Sequence, residues 1–199
     1  MRTVAKACAA AFAALLMLSA PAPAQIEWDK RTADAPLDNP TMVRVSRDEA
    51  LDLVKRVLEH YGHAVKSSTC DDGRGACTLV TDQLVFTRGI VADSRFRHVA
   101  ELGNGDVRNV VRARVVLRVE VTPAKPGVTS VGISGAFEGL VEAAVGSEWV
   151  SSRSRGFYED RLLRGVVNLA NGLALEDVRV EEDEPTEDQP VKPGGAQKP

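Results

Sequence analysis

The sequence of 199 residues is poor in the side chains that carry most protein chemistry: three histidines, three cysteines and 5% aromatic residues. His60, His63 and His98 show neither metal-ligand nor triad spacing, and no G-x-S-x-G, H-E-x-x-H, phosphate-loop or dinucleotide fingerprint occurs. His60 and His63 flank a helix end, which assigns them to capping or to a solvated surface. A site made from His98, Asp82 and Ser94 would have to be gathered by tertiary folding. No catalytic residue, metal ligand or cofactor is therefore assigned, and an enzyme such as a hydrolase ranks last among the functions considered. An excess of one charge is also missing. Residues 25–175 hold twenty basic and twenty acidic side chains, so charge does not indicate a nucleic-acid binder. The scarcity of aromatics argues the same way, because single strands are bound on stacking platforms. Beyond the first twenty residues no apolar run has the length of a membrane span.

What is present at the two ends is informative. Arg2 and Lys6 precede a small and apolar run, and Ala22-Pro23-Ala24 supplies the side chains a signal peptidase accepts. Residues 1–24 are read as a secretory signal cleaved before Gln25, giving a periplasmic or secreted chain with no transmembrane segment once mature. Cys8 precedes the apolar run and is expected to leave with the signal. Residues 25–42 have little periodicity and are read as a linker, with Trp28 a small anchor on the domain or on a partner. Residues 176–199 hold eight acidic and three basic residues, much proline and no apolar cluster. They are read as a disordered, acidic tail.

Between these ends, residues 43–175 are the length of one domain. Ser46-Arg47-Asp48-Glu49 is a capping box, and Ala50, Leu51, Val54, Val57, Leu58 and Tyr61 follow at helical spacing up to Gly62. The segments 63–66 and 78–86 are strand-like. Residues 87–109 are read as a long loop with a short helix or strand inside. From Val111 to Val121 the odd positions are apolar, while the even ones include Arg112, Arg114, Arg118 and Glu120, which is a strand with one buried face. A turn at 122–127 and a return through Val131, Ile133 and Phe137 complete a hairpin. Residues 141–156 are expected to form a short helix and a polar loop. Phe157 to Ala170 carry a second helical stripe ending at Asn171-Gly172, with Gly165 tolerated where that helix packs closely on the sheet. The fold expected is α+β: an antiparallel sheet of about four or five strands, with the N- and C-terminal helices on one face in a helix-grip-like arrangement.

Cys70 and Cys77 are the cysteines that remain after signal removal. In an oxidising compartment they are read as a structural disulfide closing the turn DDGRG. Zinc would need two further ligands, a redox pair a tighter C-x-x-C spacing, and calcium more than two adjacent acids. Arg112, Arg114 and Arg118 project from one strand face, with Arg88, Arg95, Arg97 and Arg108 in the neighbouring segment. Arg112, Arg114 and Arg118 are the candidate binding face for an envelope protein or an anionic envelope surface, set against a solvated face paired with local carboxylates. Val115, Leu117, Ile133 and Phe137 would line the cavity of a carrier for a small apolar ligand.

The stretches SRDEALDLVKRVLEHYGHAV, RARVVLRVEVTPAKPGVTSVGIS and FYEDRLLRGVVNLA together resemble small bacterial envelope domains of helix-grip type, those of the outer-membrane assembly lipoprotein BamC in particular. The resemblance is architectural and spans roughly residues 45–172. It implies a noncatalytic accessory module of an assembly complex and carries no functional residue across. This chain departs from it in having no lipidation cysteine after the apolar run and in having the Cys70–Cys77 pair. The function expected is that of an exported, noncatalytic binding or accessory domain of the cell envelope, with the apolar-ligand carrier as the alternative.

Overall fold

The period-two alternation that begins near residue 110 organises the whole molecule. A computed structural model describes residues 35–175 except 72, 74, 104, 105 and 144; residues 1–24, read as a signal, Trp28, and residues 176–199, read as a tail, lie outside the described residues. In chain order the elements are β1 (Thr41–Val43), α1 (Arg47–His60), β2 (Val65–Cys70), β3 (Cys77–Thr81), β4 (Leu84–Arg88), a 3-10 turn (Gly89–Val91), α2 (Ala92–Val99), β5 (Ala100–Leu102), β6 (Val110–Lys125), β7 (Val128–Glu142), β8 (Ser147–Ser154) and α3 (Phe157–Ala170). One antiparallel sheet of eight strands runs β2-β3-β6-β7-β8-β5, with β4 also on β6 and β1 also on β7.

Ala113, Val115, Leu117, Val119 and Val121 turn one face of β6 into the core. The apolar stripes of all three α-helices join that core: Val54 and Val57 from α1, Phe96 and Val99 from α2, and Leu162 and Val166 from α3. The helices therefore lie together on one face of the sheet, and among the described residues no helix covers the other face.

The mixed α+β class with helices flanking an antiparallel sheet matches the expectation, but its extent does not. Among the described residues the sheet has eight strands instead of four or five, and a third α-helix lies between the two expected ones. The segment 87–109, read as a loop, contains the end of β4, the 3-10 turn, α2 and β5. The segment 141–156, read as a helix and loop, is the end of β7 followed by β8. Its inward positions Ser152 and Ser154 are polar, so β8 has no apolar alternation to read. Gly165 packs on a helix, not on the sheet: a Cβ there would lie 3.1 Å from Val57 Cγ1 of α1.

The long edge of β7 is completed by four different partners. β1 pairs with residues 129–131, and β8 with residues 137–142. Between them the Asn39 side chain acts as a short piece of strand. Its Nδ2 donates to Ile133 O and its Oδ1 accepts from Ile133 N. Next, the buried Glu159 Oε1 accepts from Gly135 N, while its Oε2 accepts from Ser154 Oγ. Ordered contacts thus begin upstream of residue 43, since Leu37 N donates to Asp160 Oδ1 and Arg164 Nη2 to Ala35 O.

The disulfide between Cys70 and Cys77 joins directly opposed residues of β2 and β3. Asp71 shapes the enclosed turn, its Oδ1 accepting from Gly73 N and its backbone O from Gly75 N. Gly75 has φ +65°, a left-handed conformation that glycine adopts without strain. Arg47 Nη1 donates to Gly75 O and ties the turn to the start of α1. Closing so short a loop stabilises by roughly 2.5 kcal/mol in the chain-entropy model. Intact mass of the non-reduced chain is expected to be lighter than the reduced chain by two hydrogens, and two alkylatable thiols in the native protein would refute the bond.

Candidate functional site: the open face of the sheet

The register of the central strands places side chains in cross-strand rows on the uncovered face. One row runs Arg88–Arg112–Leu140–Trp149 across β4, β6, β7 and β8. The next runs Val85–Arg114–Glu138–Ser151. Further along β6, Arg118 lies between Val80 and Ser134. The structure therefore puts Arg112, Arg114 and Arg118 on one face, with Arg112 and Arg118 exposed and Arg114 half-buried.

The three arginines are held differently. The Arg114 guanidinium lies 3.9 Å from the Trp149 ring centroid and pairs with Glu138, a stacked and bridged position that suits a planar guanidinium. Arg118 pairs with Glu120 at 3.0 Å. Neither Arg112 nor Arg88 has an ion-pair or hydrogen-bond partner among the described residues. Yet the two are exact register partners with both side chains exposed. Like charges directly opposite on one sheet face repel, so this pair adds nothing to folding.

Arg88 and Trp149 were the members of this surface that the sequence did not assign to it. Arg88 falls at the end of a strand hidden by a bulge between Val85 and Thr87, and Trp149 is on β8. Arg97 and Arg108 do not join the open face: Arg97 pairs with Asp93, and Arg108 with Asp106 and Glu148. The Arg108 guanidinium holds the Asp106 carboxyl down at about 2.

The four residues assigned to a ligand cavity sit elsewhere. Val115, Leu117, Ile133 and Phe137 are buried in the core beneath the helices, where Phe137 meets Phe86 and Tyr158 ring to edge. His98, Asp82 and Ser94 are not joined by any contact among the described residues. His98 stacks on Phe157, Ser94 Oγ donates to Val91 O, and Asp82 is exposed after β3.

His63 is not at the surface. The left-handed Gly62, with His63 N donating to Leu58 O, closes α1 and swings the ring inward. There its Nε2 is 2.6 Å from the Tyr158 hydroxyl, while Nδ1 is buried with no hydrogen-bond partner among the described residues. Burial pushes the His63 pKa down to about 4 and the Tyr158 pKa up. The pair is sealed from solvent, so it is placed to affect stability, not to meet a substrate. Among the described residues no group of three or more His, Cys, Asp or Glu could hold a metal ion, and no helix is long and apolar enough to cross a membrane.

No protein-family model and no curated protein matches the chain. Among solved structures it is similar to the adenylate sensor from AMP-activated protein kinase in complex with 5-aminoimidazole-4-carboxamide 1-β-D-ribofuranotide. The identity is 13% and the TM-score 0.34, over 67% of this chain and 96% of that one. A likeness at that level carries no argument about function.

Proposed function

We propose that the protein is an exported, noncatalytic binding domain of the bacterial cell envelope whose open sheet face takes an anionic partner. The observation that carries this reading is the opposed pair Arg88 and Arg112, exposed and without carboxylate partners among the described residues. Two facing cations cost folding energy and gain it back when an anion lies across them. Leu140 and Trp149 continue the row and offer apolar and amphipathic area beside the charge. The Cys70–Cys77 bond supports export, since such bonds persist in oxidising compartments. The signal-like N-terminus and the resemblance to envelope accessory domains support the envelope as the place of action.

Charge reversal separates binding from folding here. Arg112→Glu puts a carboxylate opposite Arg88, so stability is expected to stay level or rise by about 0.5 kcal/mol. Affinity for poly-L-glutamate, measured at low salt where the wild-type chain binds, is expected to fall about tenfold or more. Unchanged retention of the polyanion by a folded Arg112→Glu chain would sink the reading.

A further inference from the structure

The most exposed large hydrophobic side chains among the described residues are Ile90, Val145 and Val107, at 103%, 96% and 83%. A single exposed aliphatic residue needs no explanation. These three, however, come from separate connections that the register brings to one end of the sheet. Ile90 follows Arg88, opposite Arg112. Val107 precedes Val110, opposite Val141. Val145 lies in the turn after Glu142, opposite Ser147. This is the end that carries the row Arg88–Arg112–Leu140–Trp149.

Local bonds fix each tip. Ala92 N donates to Gly89 O behind Ile90, and Ala143 N to Gly146 O across Val145. Arg108 N donates to Asp106 Oδ1 around Val107, and Arg97 Nη2 ties the same segment to α2 through Arg108 O. The backbone is held by polar contacts while the aliphatic side chains project into solvent.

We infer that this end of the sheet docks on an anionic phospholipid bilayer, with Ile90, Val107 and Val145 entering the interface and Arg88 and Arg112 meeting the headgroups. A hydrated polyanion could use the arginines but gives aliphatic tips nothing to enter. An anionic bilayer is charged at its surface and apolar just beneath, and therefore matches both features found at this end of the sheet. Trp149, one strand beyond Leu140 in the same row, has the amphipathic ring favoured at that depth. Among the described residues the acidic groups at this end are Asp93, paired with Arg97 and accepting from Val110 N, Asp106 and Glu148, both paired with Arg108, and Glu142. The inference rests on the anionic-face reading and names its partner.

The test uses residues 25–199, which include every described residue, and cosedimentation with vesicles of phosphatidylcholine alone or mixed with phosphatidylglycerol. The wild-type chain is expected to sediment with the mixed vesicles and not with phosphatidylcholine. Combined Ile90→Asn, Val107→Asn and Val145→Asn should lower that partition about tenfold or more, with an unchanged melting temperature because these side chains are exposed. The same variant should keep its affinity for poly-L-glutamate. Equal sedimentation of the variant and the wild-type chain, or no wild-type sedimentation, overturns the membrane inference. If poly-L-glutamate is still bound in either case, the anionic-face reading stands and an acidic protein becomes the partner; if Arg112→Glu leaves polyanion binding unchanged, that reading fails by itself.

Discussion

Gly135→Ala is expected to be among the most damaging single-methyl changes in the protein, lowering stability by about 3 kcal/mol. A Cβ at this core-facing position of β7 would lie 2.4 Å from Phe137 Cε2, 3.0 Å from Phe137 Cζ and 3.1 Å from Glu159 Oε1. Neither neighbour can yield cheaply. Phe137 is fully buried between Phe86 and Tyr158. Glu159 is a buried carboxylate whose two oxygens serve Gly135 N and Ser154 Oγ, so displacing it strands polar groups in the core. The glycine is what allows a helix side chain to complete the strand edge. Other glycines of β7 provide the scale. A Cβ at Gly139 would meet Val110 at 3.0 Å and Phe96 at 3.3 Å, which predicts a smaller loss. At Gly132, on the open face, the nearest atom is Pro40 Cβ at 3.4 Å, an ordinary contact. Urea unfolding of the three alanine variants should therefore rank Gly135 far below Gly139, and Gly139 below Gly132. A Gly135→Ala chain as stable as the Gly132→Ala chain would refute the packing described for Phe137 and Glu159.

The second large effect is acid sensitivity set by His63. Its folded pKa is depressed from 6.5 to about 4 by burial, so between those values the unfolded chain takes up a proton that the folded chain refuses. Stability from this group is fully present above pH 6.5 and drains away as pH falls to 4. Below that the folded ring protonates too, and the loss stops growing. The pKa gap corresponds to about 3 kcal/mol as an upper value. Asp93 and Asp106, whose pKa values are lowered mainly by hydrogen bonds from arginine side chains and backbone N–H groups, lose their contributions as pH falls below 3.8, outside this window. His63→Leu is expected to lose about 1 kcal/mol at neutral pH, because Tyr158 forfeits a hydrogen-bond partner. It should also flatten the stability profile between pH 6.5 and 4. Urea midpoints across that range decide the matter: an undiminished slope in the leucine variant would assign the acid sensitivity to other groups.

Both effects depend on positions the linear sequence describes poorly. Gly135 continues the inward alternation of Val131, Ile133 and Phe137, so its facing was legible. Its contact with Glu159 was not, because that carboxylate arrives from a helix 24 residues later. His63, next to a helix-terminating glycine, looked like a surface residue. Only the packing of α3 against the end of α1 brings Tyr158 to its ring. The same limit applies to the candidate site. Arg112, Arg114 and Arg118 were legible as one strand face from period two alone. Arg88 and Trp149 were not, since the pairing of β4 and β8 with the central hairpin is a long-range event.

By itself the sequence determined the two terminal helices, the central hairpin, the outward arginines and the cysteine pair that closes a turn. Each is governed by neighbours within a few residues, through capping groups, hydrophobic period and turn chemistry. Tertiary structure decided the number of strands, the internal helix and which cations stand opposite one another. Strands such as β1, β5 and β8 show no readable apolar period, and they form because a neighbouring strand presents backbone groups that must be satisfied: β7 for β1 and β8, and β8 in turn for β5. Whether an arginine is paired is likewise a property of its register partner: β7 supplies Glu138 beside Arg114, and β4 sets Arg88 against Arg112.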